Sequence, residues 1–176
     1  MFEKANQVLS FLRILHHRMK YPALRIDFSS HLSAGVELIA CDGSNFEIKN
    51  TFMARGVFLK AEAGATLKIK ESYIGMNSMI VAHDHIEIMP NCSIGEMVVI
   101  RDQNHQYGKN ILIRDSGYET AKIVIQKNVW VGSKATILKG VELGENTVVG
   151  AHAIVNESFP ANSVLVGSPA RAIVDK

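Results

Sequence analysis

From Ile125 onward an aliphatic side chain returns at every sixth residue: Ile125, Val131, Ile137, Leu143, Val149 and Val155. Two positions before each later anchor stand smaller residues, Val129, Ala135, Val141, Thr147 and Ala153. On a strand of period two, the anchor and this smaller partner face the same way, so both point inward. Gly132, Gly144 and Gly150 follow directly on anchors, where a chain turning a tight corner needs the left-handed angles glycine adopts cheaply. A unit of this size cannot fold alone, but stacked units share a continuous core, and three units per coil make a triangular prism.

The register also runs upstream at Ile74 and Ile80 and, after a two-residue shift, at Ile88, Ile94 and Ile100. Weaker traces reach back through Ile69, Leu59 and Ile48. Between Ile100 and Ile125 the step is not a multiple of six, so residues 102–121 are expected to leave the prism as a loop, the kind of insertion that builds binding faces. Before Pro22 the spacing is different. Phe2, Ala5, Leu9 and Leu12, with Ile14, Leu15 and Met19, fit a helix ending in His16, His17, Arg18 and Lys20. Those cations suit the negative end of a helix dipole, and the helix reads as a cap on the prism that also allows weak contact with an acidic membrane surface. The expected organisation is an amphipathic helix over 1–22, a β-helix over 23–166 with its loop, and a tail over 167–176.

Composition narrows the field. The 176 residues are 47% hydrophobic and 20% charged, enough for one packed domain. A net charge of +2 and a pI near 8.5 show no broad nucleic-acid footprint. Cys41 and Cys92 lack any metal or CxxC spacing and suit two reduced, buried thiols in a cytosolic protein. The opening residues are not expected to act as a secretory signal, and no stretch of the sequence approaches the roughly 20 apolar residues of a membrane span.

The segments Asn128-Val129-Trp130-Val131-Gly132-Ser133, Ile137-Leu138-Lys139-Gly140-Val141, Val149-Gly150-Ala151 and Gly167-Ser168-Pro169-Ala170-Arg171 resemble the hexapeptide-repeat acyltransferases. With His85-Ile86-Glu87-Ile88, Ile100-Arg101-Asp102-Gln103-Asn104-His105 and a loop bearing Tyr107, the likeness is strongest to saccharide O-acetyltransferases of surface-polysaccharide pathways. The resemblance spans about residues 55–173 and implies an all-β fold: a left-handed parallel β-helix with an N-terminal α-helix and one excursion loop. It also implies a cytoplasmic homotrimer, or one peripheral to the inner membrane face, with active sites between neighbouring prisms.

The implied chemistry is transfer of acetyl from acetyl-CoA to a saccharide hydroxyl, with no metal needed. His105 stands where the family keeps its general base, and a neutral imidazole is suited to take the hydroxyl proton at neutral pH. Asp102 or Asn104 is placed to hold its ring. Trp130, at an outward repeat position, is the implied wall of the acceptor pocket, with His85, Tyr107 and Tyr118 as further contacts. Small residues Gly132, Ser133, Gly150, Ala151 and Ala153 allow the pantetheine arm close approach, and Lys134, Lys139, Arg171 and Lys176 are the cations for CoA phosphates. Two departures from the family pattern, His152-Ala153 after Gly150-Ala151 and Glu157 at a frequent lysine, weaken the nucleotide end. Other readings are a chloramphenicol-type or amino-sugar N-acetyltransferase, a non-catalytic β-helix assembly protein, and a zinc carbonic anhydrase using His83, His85 and His105.

Overall fold

A computed structural model describes residues 2–110 and 112–175; the side chains of 2–5, 174 and 175 are outside the description, as is Lys176. After the helix α1, Phe2–Lys20, the chain winds through about six coils whose strands stack in register as three parallel sheets. The inward stacks are continuous. On one face Ile48, Ile69, Ile88, Ile125 and Leu143 pair in succession. On the second the column is Met53, Ile74, Ile94, Val131, Val149 and Leu165. On the third it is Leu59, Ile80, Ile100, Ile137 and Val155. Every one of these side chains is fully buried, so the hexad anchors are the core itself.

The coils begin at Leu24–Ile26, upstream of the faintest hexad trace at Ile48. Coils there are longer, because strands of four or five residues such as Glu37–Ala40 and Asn45–Lys49 stand where the later coils have strands of two, and this blurs the six-residue period. The end is also different: Arg171–Asp175, in the stretch expected to be a tail, pairs antiparallel with Ser163–Val166.

Corner chemistry departs from expectation too. Gly132, Gly144 and Gly150 do not carry the left-handed angles; residues such as Asn128, Lys134, Asn146 and His152 do. The glycines are required for space. A Cβ on Gly132 would lie 2.7 Å from the Ala151 amide nitrogen, and one on Gly144 2.3 Å from that of Ala161. Successive coils press too closely there for any side chain.

The outward residues give each face its own character. One is charged, with Glu47, Lys68, Lys70, His85 and Glu87. The second carries an aromatic ladder in which the ring of Phe52 stacks on those of His31 and Tyr73, with Trp130 on the same sheet. The third presents Phe58, Lys60, Met79, Val81, Val99 and Arg101 and is the face above which the excursion emerges.

Candidate active site

Ile100 pairs with Ile137 where Ile80 pairs with Ile100, so the chain between them holds one coil plus an inserted excursion. Its stem is a two-stranded antiparallel ribbon in which Gln103, Asn104 and His105 face Thr120, Glu119 and Tyr118. Asp102, at the root, is fully buried. Its carboxylate accepts backbone N–H bonds from His83 at 2.8 Å, Asp84 at 2.9 Å and His85 at 2.8 Å. Both oxygens are therefore occupied by the corner of the preceding coil. Asp102, offered with Asn104 as the residue to hold the His105 ring, makes its described bonds to the backbone of that corner and so ties the stem to the prism.

His105 is exposed at the rim of a cleft of about 490 Å³ lined by Lys60, Glu62, His83, Arg101 and Tyr118, with Asn104 beside it. The Tyr118 ring lies between two imidazoles, its centroid 4.6 Å from that of His105 and 4.5 Å from that of His83. His83 Nε2 is 3.7 Å from Glu62 Oε1, and that oxygen is 2.6 Å from Lys60 Nζ. Burial pushes the Glu62 pKa up, but the bonds from Lys60 and from Cys41 and the positive charge of Lys60 outweigh it, leaving the carboxyl below its ordinary range. The Cys41 thiol donates to Glu62 Oε2 at 3.5 Å; burial and this carboxylate push its pKa up. Cys41 is half-buried and Cys92 buried, whereas both were expected to be buried. Arg101 reaches the Met79 sulfur at 3.2 Å and makes no ion pair among the described residues.

Lys60, Glu62 and Arg101 escaped sequence reasoning, and His83 entered only as a metal candidate. The signal was coil spacing: Ala61 pairs with Ala82, which brings Glu62 beneath His83. Other expected residues lie elsewhere. His85 faces out on the charged sheet, 3.7 Å from Glu87, and is not part of the cleft. Tyr107, at 79% exposure, stands out on the excursion. Trp130, 57% exposed, is on the aromatic face, so one chain alone does not bring it to His105. Among the described residues no three His, Cys, Asp or Glu side chains converge as a metal-ligating group, so His83, His85 and His105 of one chain do not come together as ligands.

The residues suggested for CoA cluster at the last coils. Gly132, Ser133 and Lys134 share a corner with Gly150, Ala151 and His152, with Ala153 buried behind it. Of the cations, Lys139 pairs with Glu119 at 3.3 Å and Arg171 with Glu157 at 2.8 Å. Lys134 makes no ion pair among the described residues. The Arg171 partner is the very glutamate that departs from the family pattern.

Residues 122–157 match the bacterial transferase hexapeptide family, described as six repeats. Over these residues the chain is similar to the hexapeptide repeat of bacterial transferases. A galactoside O-acetyltransferase of Escherichia coli (strain K12) is 31% identical to this chain over 131 residues, 74% of the chain and 54% of that protein. A probable acetyltransferase of Mycobacterium tuberculosis is 24% identical over 176 residues, 96% of the chain and 57% of that protein. The chain spans about half the length of the curated relatives it matches. Among solved structures, AntD, an N-acyltransferase from Bacillus cereus in complex with dTDP and 3-hydroxybutyryl-CoA, superposes with a TM-score of 0.70 at 20% identity. That alignment covers 90% of this chain and 86% of AntD and shows a shared fold.

Proposed function

We propose that this chain transfers the acetyl group of acetyl-CoA to a saccharide hydroxyl, with His105 as general base. The observation that carries the reading is the placement of His105, exposed on a stem locked by Asp102, at the rim of a polar cleft beside the repeat matched to bacterial transferases. The acceptor oxygen attacks the thioester carbonyl as His105 takes its proton. The C–S bond then breaks, and the imidazolium returns that proton to the CoA thiolate. Tyr118 packs on the imidazole and limits its rotation, while Glu62, His83 and Arg101 offer a sugar both acceptors and donors. Lys134, at the corner with Gly132, Ser133, Gly150 and Ala151, is the cation we assign to the CoA phosphates.

The distribution of outward residues supports a homotrimer. One face carries Phe52, Tyr73 and Trp130, and another sets Phe58, Met79 and Val99 beside Lys60 and Arg101, whereas the third is charged. Packing the aromatic face of one prism against the cleft face of the next would bury both and bring Trp130 of the neighbour over His105. Mixing His105→Ala subunits with Trp130→Ala subunits tests this. Shared sites regain part of the wild-type activity on mixing, and sites built within single chains regain none.

A second reading is favoured by Arg101 and Lys60, whose charges suit a phosphate-bearing acceptor such as a nucleotide-linked sugar or amino sugar. The bound dTDP of AntD is in keeping with that reading. Thiol release from acetyl-CoA across galactosides, nucleotide sugars, amino sugars, serine and chloramphenicol separates the two. Turnover with neutral saccharides alone selects the first reading, and turnover that requires a phosphate-bearing sugar selects the second. Release with chloramphenicol or serine only, or with none of them, overturns both.

A further inference from the structure

Helix α1 is apolar on the wrong side for a cap alone. Its inner face is mostly polar: Ser10 and Ile14 are buried, Ser10 Oγ accepts from the Leu32 N–H at 2.9 Å, and Arg13 donates to the Leu32 carbonyl at 3.0 Å. His17 Nε2 approaches the Val36 carbonyl at 3.3 Å. These bonds replace the coil that the first turn of the prism lacks below it. The opposite face points away from the end of the prism. There Val8, Leu12, Leu15 and Met19, separated by steps of four, three and four, form one exposed stripe, with Phe11 beside it. Met19 is 77% exposed, and no described residue covers the stripe.

The charges around the stripe identify its occupant. Residues 2–20 hold four lysines and arginines, two histidines and one acid, Glu3, and beside Arg18 the first coils add Arg25 and Lys49 against Asp27 and Glu47. Arg18 lies over the Phe28 ring at 4.9 Å on one flank, His16 and Lys20 stand on the other, and Arg25 is exposed on the adjoining strand. A second copy of this helix would set four cations against four with only Glu3, at its first turn, to offset them. An anionic phospholipid surface satisfies both halves: acyl chains take the stripe and headgroups take the cations. We infer that α1 docks the protein on membranes rich in anionic phospholipid, lying in the interface without crossing it. No helix among the described residues is long and apolar enough to cross. The inference stands apart from the acyltransferase reading; in the trimer proposed above, three such stripes would face one plane and bind together.

Cosedimentation of the full chain with vesicles tests it, using phosphatidylcholine alone or with about one-third phosphatidylglycerol. The chain should pellet with the anionic vesicles at low salt and be released at high salt, and should leave phosphatidylcholine vesicles largely unbound. Leu12→Ser combined with Leu15→Ser, both at exposed positions, should lower partitioning about a hundredfold while leaving circular dichroism unchanged. Arg18→Gln and Lys20→Gln should each lower it about fivefold. Failure of the wild type to pellet, or equal pelleting of the double serine variant, overturns the inference. So does a wild-type particle larger than a trimer that the serine pair dissolves, because the stripe would then belong to a second copy.

Discussion

Replacing Asp102 with asparagine distinguishes a residue that anchors the stem from one that steers the His105 ring. One carboxylate oxygen accepts from His83 and the other from Asp84 and His85, at 2.8 to 2.9 Å. An amide offers one acceptor and one donor, so its best orientation keeps the paired bonds to Asp84 and His85 and turns its NH₂ toward the His83 N–H. One charge-assisted bond is lost, worth about 1.5–3 kcal/mol, and the other two weaken as the charge disappears, for a total of about 3 kcal/mol. At about 2–4 °C per kcal/mol in a chain of this size, Tm should fall by about 6–12 °C. Thermal unfolding followed by circular dichroism gives that shift, and the pH profile of kcat/KM gives the second reading. With Asp102 acting only on the backbone, the profile of the folded variant keeps its midpoints. An unchanged Tm with a displaced pH midpoint would refute the reasoning and return Asp102 to the ring of His105.

Three further outcomes follow from the same geometry. Gly132→Ala places a Cβ 2.7 Å from a backbone nitrogen of the next coil and should cost about 1–3 kcal/mol, read as a lower Tm; an unchanged Tm would show that the corner is not crowded. Glu157→Gln frees Arg171 and should lower the KM for acetyl-CoA a few-fold, whereas Arg171→Ala should raise it; no change in either variant removes Arg171 from the nucleotide end. His17 is held below its ordinary pKa chiefly by burial, so the folded chain takes up its proton less readily than the unfolded one. Its contribution is complete above about pH 6.5 and declines as pH falls below that value toward the depressed folded pKa, so Tm should drop between pH 7.5 and 5.5 in the wild type and drop less in His17→Gln.

What could be read in the sequence followed the length of the coils. Where they are shortest, from Ile125 to Val155, every anchor was visible and every one is in the core. Where strands lengthen, from Leu24 to Ala61, the same stacking exists without a six-residue period to reveal it. The excursion was legible as a break in register, and His105 with it. The partners of His105 were not, because Lys60, Glu62 and His83 belong to earlier coils and meet the stem only through stacking. Asp102 shows the limit of local reading: three residues from His105 in sequence, it bonds to the coil before it. The glycines fell where expected, but crowding between coils selects them there instead of backbone angle. On α1 the apolar residues were visible as a helical set, yet of that set only Ile14 is buried among those whose side chains are described, since the open end of the first coil needs hydrogen-bond partners as well as an apolar lid.

The central claim, acyl transfer with His105 as base, is tested most directly by thiol release from acetyl-CoA in the presence of a turned-over saccharide. Wild type and His105→Ala are compared at equal folded concentration. The account predicts that the variant retains the wild-type Tm and loses about 10²–10⁴-fold in kcat. A folded His105→Ala protein with wild-type turnover would contradict it.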